Sequence, residues 1–394
     1  MIEIKRREEC CGCYGCSNIC PKQCISMQID NEGFWYPNVD KSKCINCDLC
    51  IKVCQIYNDI PKQDHTPKAY ACRNLNDKVR LESSSGGVFS LLAEEVIKNG
   101  GVVFGAAFDK KFNLVHTYIE KDMELFRFRG AKYVQSKIGD SYRNAKKFLD
   151  EGKIVLFSGT QCQIKGLNMF LMKSYKNLIT IDIICHGVPS PKVFKNYREL
   201  LEKINSNKII NIKFRDKSKG WREYSYVAEF ENGKVYSKTR HKDTFIKGFS
   251  NDLFLRPSCY ECSAKNFTSG SDISLGDYWG VQVKHPKLDD DRGVSLVIIN
   301  TPKGEAIFKK TFKRMNAYET DLNFAIKKNK CIVKSTKFNQ KRTEFFNEYN
   351  GDNLEEMIKK YTKISFKNKL KKNIRIIIGR IKRKIINRYM RVRF

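Results

Sequence analysis

Residues 10–21 read Cys10-Cys11-Gly12-Cys13-Tyr14-Gly15-Cys16-Ser17-Asn18-Ile19-Cys20-Pro21, and the same spacing returns at Cys44, Cys47, Cys50 and Cys54. Two Cys-x2-Cys-x2-Cys-x3-Cys runs make an internal repeat. Between them Ile25-Ser26-Met27-Gln28-Ile29 alternates like a strand, and Asn31-Glu32-Gly33 supplies a turn. Around this head the chain extends to 394 residues, enough for two or three domains at roughly 150 residues each. With 41% hydrophobic and 12% aromatic residues it is not a disordered polyelectrolyte, despite a formal charge of +31. Ten of the 16 cysteines lie between Cys10 and Cys54. The start, Met1 to Arg7, is charged and lacks the apolar stretch of a secretory signal. No apolar run approaches the ~18–20 residues of a membrane span. A cytoplasmic setting is therefore expected, in which cysteines ligate metals or catalyse rather than form disulfides.

Three closely spaced thiols with a fourth after three residues, once followed by proline, form the ligand pattern of a two-cluster bacterial ferredoxin. In that pattern the fourth cysteine of each run crosses to the other cluster. Cluster one then takes Cys10, Cys13, Cys16 and Cys54, and cluster two takes Cys44, Cys47, Cys50 and Cys20. The crossing ties the half-repeats together, so that a short segment can fold with little core. Zinc is the competing reading, but it favours two Cys-x2-Cys pairs with a longer spacer. Cys54 is followed by Gln55 instead of proline, and Cys11 and Cys24 fall outside the pattern.

After a linker at Pro61–Pro67, the middle reads as alternating strands and helices. Val88 to Ile97 has helical apolar spacing, and Val102 to Phe108 reads as a strand. Ser141 to Leu149 is a helix stopped by Gly152. Ile154–Phe157, a helix from Cys162 to about Tyr175, and Leu178–Ile184 make a βαβ unit with a parallel pair. Tyr224–Phe230 and Lys234–Thr239 form a hairpin about Asn232-Gly233.

Six segments then occur in order: Ser85-Gly86-Gly87-Val88-Phe89, Gly130-Ala131-Lys132-Tyr133-Val134-Gln135-Ser136, Ser158-Gly159-Thr160-Gln161-Cys162-Gln163, Cys185-His186-Gly187-Val188-Pro189-Ser190-Pro191, Leu255-Arg256-Pro257-Ser258-Cys259-Tyr260-Glu261-Cys262 and Asp272-Ile273-Ser274-Leu275-Gly276-Asp277-Tyr278-Trp279-Gly280. Together with the head, over roughly residues 1–300, they resemble the beta-subunit family of coenzyme F420-reducing hydrogenase and formate dehydrogenase. Gln161 departs from the family's Gly-Thr-Pro-Cys-Gln form but leaves the cysteine in place. The resemblance implies an FAD flavoprotein with at least one further 4Fe–4S cluster, exchanging electrons with a deazaflavin. Family members also act on chlorophyll-related substrates, so the resemblance does not fix the substrate. The expected fold class is α+β. An N-terminal dicluster ferredoxin domain (1–62) precedes a family N-terminal domain (66–147), a family C-terminal domain with the third cluster and flavin (148–345), and a basic helical tail (346–394).

The residues add to this independently. Cys162 follows one parallel strand and Cys185 the next, so both thiols emerge at the carboxyl edge where α/β sheets bind ligands. With the chelating pair Cys259-x2-Cys262 they complete a third all-thiolate site, for a 4Fe–4S cluster or a structural zinc, unless they are inert buried thiols. Cys72 and Cys331 have no motif around them and read as ordinary buried thiols. For flavin, Ser85, Gly86 and Gly87 precede a helix start, which suits a pyrophosphate but equally an ordinary cap. Lys132, Tyr133, Gln135, Ser136, Gly159, Thr160 and Asp277 are further cofactor candidates, and loop packing is the alternative for several. His186, beside Cys185, is the candidate proton donor, though a lone histidine is more often structural. No Gly-x-Gly-x-x-Gly fingerprint supports a Rossmann site.

Residues 363–394 hold thirteen Lys/Arg and no acid, with Leu370, Ile374, Ile377, Ile378, Ile381, Ile385 and Tyr389 at helical spacing. This basic amphipathic pattern suits the inner face of a membrane, a protein partner, or packing on the middle domain. Nucleic acid lacks a recognised motif here. The expected function is an iron–sulfur flavoenzyme linking a small-molecule hydride carrier to a ferredoxin or redox partner subunit. A non-catalytic electron-transfer subunit is the second reading.

Overall fold

The computed structural model describes residues 1–60 and 65–363. The expected linker falls largely, and the amphipathic tail from residue 364 wholly, outside the described residues. No helix among the described residues is long and apolar enough to cross a membrane.

In the head, β1 (Ile25–Ile29) and β2 (Trp35–Val39) pair antiparallel around the expected turn. Asp30 Oδ1 accepts from the Glu32 and Phe34 amides at 3.0 and 2.8 Å, which closes that turn. The two cysteine runs fold alike. Gly12 and Tyr14 in the first, and Asn46 and Asp48 in the second, take left-handed φ values of 66°, 66°, 52° and 53°. A short helix follows each at the same offset, Gly15–Ile19 and Leu49–Lys52. Paired reversals of this kind curl each loop inward, so that its three cysteines share one concave side.

The middle is built on one eight-stranded mixed sheet. Its strands in chain order are β3 (Lys68–Asn74), β4 (Val102–Phe108), β5 (Leu114–Ile119), β6 (Val155–Thr160) and β7 (Leu178–Ile183). A separate antiparallel sheet then forms from β8 (Ile209–Asp216), β9 (Ser225–Phe230) and β10 (Val235–Thr239). The chain returns to the large sheet with β11 (Ile273–Asp277), β12 (Ser295–Ile299) and β13 (Met315–Thr320). The spatial order is β13-β3-β12-β11-β7-β6-β4-β5. The central four, β11, β7, β6 and β4, run parallel, and antiparallel strands close both sides. Near-continuous apolar runs in β4, β6 and β7 reflect burial on both faces. The helices Val88–Lys98 and Pro302–Lys310 cover one face, with Val103, Leu156 and Ile179 beneath. Ser141–Asp150 and Gln161–Leu171 cover the other, over Phe104, Val155 and Phe157. The fold is thus α+β, as expected, with β6, the helix Gln161–Leu171 and β7 as the parallel βαβ unit.

The expected boundaries at 147/148 and 345/346 cut through shared structure. β4 hydrogen-bonds β6 in one ladder, and the helix Lys341–Glu348 runs across residue 346. The next helix, Leu354–Thr362, buries Leu354, Met357 and Ile358 in the core shared with Pro191–Asn205 and Thr244–Ser250. Those apolar side chains draw the segment into the middle's core, so residues 346–362 are part of the globular unit.

The head packs on the middle through specific contacts. Tyr14 joins the apolar cluster under Gln161–Leu171. Arg143 donates to the Ser17 and Asn18 carbonyls, both at 2.7 Å. Arg342 pairs with Glu32, and Ser190 Oγ donates to the Glu32 carbonyl at 2.5 Å. Gly33 is obligatory here, because a Cβ would lie 2.3 Å from Lys192 Cβ.

Candidate functional site

Three cavities are lined by cysteines, and they sort the thiols into the three expected sets. The first is lined by Cys10, Cys13, Cys16 and Cys54, together with Cys11. The second is lined by Cys20, Cys44, Cys47 and Cys50, together with Cys24. The third is lined by Cys162, Cys185, Cys259 and Cys262, again with Cys11. Their empty volumes, counting space open to solvent, are about 350, 360 and 560 Å³. The thiols stand around these spaces. Among the described residues, no three His, Cys, Asp or Glu side chains converge on a point where one ion would sit. A ring of thiols about a cavity suits a polynuclear cluster better than a single tetrahedral ion with sulfurs at ~2.3 Å.

Backbone amides point at the sulfurs in all three. Gly12 N donates to Cys10 Sγ at 3.4 Å, Ile2 N to Cys50 Sγ at 3.2 Å, and Val188 N to Cys259 Sγ at 3.3 Å. Such bonds favour thiolate over thiol and tune cluster potentials. Burial acts in the opposite direction. It pushes the Cys54 and Cys185 thiols up to about 12 and raises Cys10, Cys16, Cys259 and Cys262. Buried thiols of this kind hold their protons until a positive charge replaces them.

Two cysteines outside the motifs behave differently from expectation. Cys11 lines both the first and the third cavities beside Cys13 and Cys162, so it stands between the head and the middle. Its single S–H can serve either sulfur, and interaction with it lowers Cys13 to about 6 and Cys162 to about 7. Cys331 lies 3.6 Å from His186 Nδ1, while His186 Nε2 lies 2.6 Å from Asp252. Burial opposes a charged imidazole there, but Asp252 and Cys331 outweigh it and raise His186 to about 9. The hydrogen bond from His186 in turn lowers Cys331. Nothing local in the sequence signals this contact, because 145 residues separate the two side chains. Cys72 is buried in the sheet core, as expected of an inert thiol.

Arg256 is the other residue that motif reading passed over. It is fully buried between the first and third cavities. Its guanidinium donates to the Cys10 carbonyl (2.8 Å), Gln135 Oε1 (3.1 Å) and the Trp35 carbonyl (2.9 Å). It also lies 4.3 Å from the Tyr36 ring centroid. No carboxylate among the described residues pairs with it. Gln55 stands where the second motif lacks proline, and its Nε2 donates to the Cys162 carbonyl at 3.0 Å. Gly166 lets the Gln161–Leu171 helix approach the head, since a Cβ would sit 2.8 Å from Cys13 Cβ.

The flavin candidates do not gather in one cavity. Ser85 Oγ donates to the Val294 carbonyl, and a Cβ on Gly86 would lie 2.3 Å from the Cys72 carbonyl oxygen. Gly87 caps the Val88–Lys98 helix at φ 80°. Lys132 Nζ donates to the Arg129 and Gly130 carbonyls, and burial lowers it to about 7. Gln135 also donates to the Cys11 carbonyl, and Ser136 bonds His116 Nδ1 at 2.9 Å. Gly159 faces Gln163 and His116, and Thr160 caps its helix while its Oγ1 lies 3.2 Å from Cys162 Sγ. Tyr133 stacks on Phe249, 4.7 Å between centroids. Asp277 accepts from Trp221 Nε1 at 3.0 Å and pairs with Arg215. Beside Asp277, Arg215 Nε and Nη2 are buried and unbonded. Lys217, lowered to about 7 by burial with Arg215 and Arg80 nearby, adds a second buried base.

The segment that carries the third cavity's four thiols and Asp277 has a known counterpart. Residues 152–323 match the family model for the C terminus of the coenzyme F420 hydrogenase/dehydrogenase beta subunit. This segment is similar to that family, and the match covers less than half of the chain. A chain of the F420-reducing NiFe hydrogenase complex from Methanosarcina barkeri, a xenon derivative, superposes with a TM-score of 0.44 at 16% identity, over 69% of this chain and 93% of that one. An uncharacterized protein of the rpl9-rpl11 intergenic region of Porphyra purpurea is 36% identical over 52 residues, 12% of this chain. The match spans 65% of that relative's length. The matched segment supplies four thiols of the third cavity, which Cys11 and Gln55 of the head also line, and the head supplies the other two cavities.

Proposed function

We propose that the chain is an iron–sulfur redox protein with three 4Fe–4S sites, passing electrons between a small-molecule hydride carrier of deazaflavin type and a one-electron partner. The carrying observation is the sorting of twelve cysteines into three thiol-lined cavities, with Cys11 lying between the first and the third. Iron in each cavity would replace the protons that burial holds on the thiols, and the amides at Cys10, Cys50 and Cys259 would steady the sulfurs. Arg256 would then have its counter-charge in the thiolates on either side of it, which accounts for a buried guanidinium without a carboxylate.

FAD belongs to this proposal as the group that exchanges a hydride with the carrier and single electrons with the clusters. The unpartnered Arg215 donors, beside Asp277 and Tyr133, are the residues best suited to its anionic part. The second reading, an electron-transfer subunit without flavin of its own, draws support from the internal hydrogen bonds of Ser85, Lys132, Gln135 and Ser136. One preparation tests both. The anaerobically reconstituted chain is expected to hold about twelve irons and one flavin. About eight irons would remove the third site, and full iron without flavin would favour the second reading.

A further inference from the structure

The three cavities form a line, and the line has an outer end. The first and third cavities share Cys11 and Gln55 in their linings; the second shares no lining residue with either, but its Cys20 and Cys50 pack in one cluster with Cys16 and Cys54 of the first. The order is therefore third, first, second. At the second cavity Ile45, Asn46, Cys47 and Asp48 are exposed, and Cys47 is the one exposed cysteine among the described residues. The charge here differs from that of the head as a whole. Residues 1–62 hold eight acids and eight bases. Around the second cavity, however, the exposed lysines are Lys22, Lys41, Lys43 and Lys52, joined by the Met1 amine. Of the nearby acids, Asp48 pairs with the Met1 amine at 2.7 Å and Asp40 with Lys43 at 3.2 Å, which leaves Glu3, beside the Ile2 amide that meets Cys50, as an exposed acid against Lys22, Lys41 and Lys52. Lys22, Lys41 and Lys52 have no carboxylate partner among the described residues. The head's other acids lie elsewhere: Glu8 and Glu9 line the third cavity, Glu32 meets Arg342, and Asp59 meets Lys165.

We infer that this basic lip, where Ile45 is also exposed, is the docking face for a small acidic iron–sulfur carrier protein. The inference rests on the three-cluster reading. One electron leaves the second site, whose cluster is oxidised by one unit, and the carrier's cluster is reduced by one. No bond forms and no proton moves. Complementary charge raises encounter rates and binding at low salt and fades as salt screens it.

The test uses the anaerobically reconstituted full chain and a small acidic two-cluster ferredoxin, with binding measured by calorimetry at 50 and 200 mM salt. Native protein should lose affinity as salt rises. The Lys41→Glu/Lys52→Glu variant, at two lysines outside the cavity lining, should bind about tenfold more weakly at 50 mM and lose most of the salt dependence, with unchanged iron content and unchanged reduction of a small viologen dye. The control is Lys203→Glu/Lys234→Glu, two exposed lysines on other elements. Equal weakening in that control would reduce the effect to net charge and overturn the proposal. So would unchanged binding in the lip variant, or absence of binding by native protein. Failure to load iron at the second site would count against the cluster reading instead.

Discussion

Replacing Arg256 with methionine keeps the volume and removes the guanidinium that joins β1–β2 to the middle. Three hydrogen bonds go with it, to the Cys10 and Trp35 carbonyls and to Gln135. Bonds from a charged donor contribute about 1.5–3 kcal/mol each. Their sum is offset by relief of several kcal/mol of guanidinium desolvation. The remainder is about 4 kcal/mol, within the ~3–5 kcal/mol range for breaking a buried charged network. Native-state hydrogen exchange reads this without requiring reversible unfolding. Amides of the β1–β2 ladder, Ile25 to Val39, should exchange about 10³-fold faster in Arg256→Met, while the β6–β7 ladder keeps most of its protection. Arg256→Lys, with charge but no fork, should fall between. A change below about tenfold in β1–β2, or an equal change in β6–β7, would refute the view that Arg256 joins two separable parts.

Gly166→Val should drive the Gln161–Leu171 helix from Cys13, lower the iron content by about four and leave the second site loaded; per-site spectra check this. His116 is buried between Ser136 and the Ser158 carbonyl, and burial lowers its pKa to about 4. Because the unfolded histidine takes a proton near pH ~6.5 and the folded one does not, its contribution is complete above that pH. As pH falls toward 4 it costs roughly 3 kcal/mol. His116→Gln should flatten that part of an acid-stability curve. Cys331 should be alkylated by iodoacetamide faster than Cys72 at pH 7, and Asp252→Asn should slow it several-fold, as read by peptide mass mapping.

Much of this was legible in the chain itself. The cysteine runs are local, so spacing alone grouped eight thiols into two crossed sets, and the cavities hold those same groups. Continuous apolar stretches marked β4, β6 and β7, because strands buried on both faces need no alternation. The parallel placement of Cys162 and Cys185 followed from the short βαβ connection. The flavin candidates fared differently. Small and polar residues near strand ends also make ordinary turns and caps, and here Ser85, Lys132 and Ser136 find partners inside the fold.

What tertiary structure alone decided is what touches what across long separations. β3 lies between β12 and β13, strands more than 200 residues later, and that order brings the chain's distant parts to one sheet. Cys11, which spacing set aside, became the neighbour of Cys162; Arg256 reached Cys10; Cys331 found His186. A head that is neutral by count became polarised, because Glu32 and Asp59 meet middle-domain bases while the lysines around the second cavity face solvent. Sequence determines ligand sets that lie within a turn or two, where backbone geometry limits the distances. Contacts over a hundred or more residues depend on how sheets and helices stack, and spacing carries no record of that.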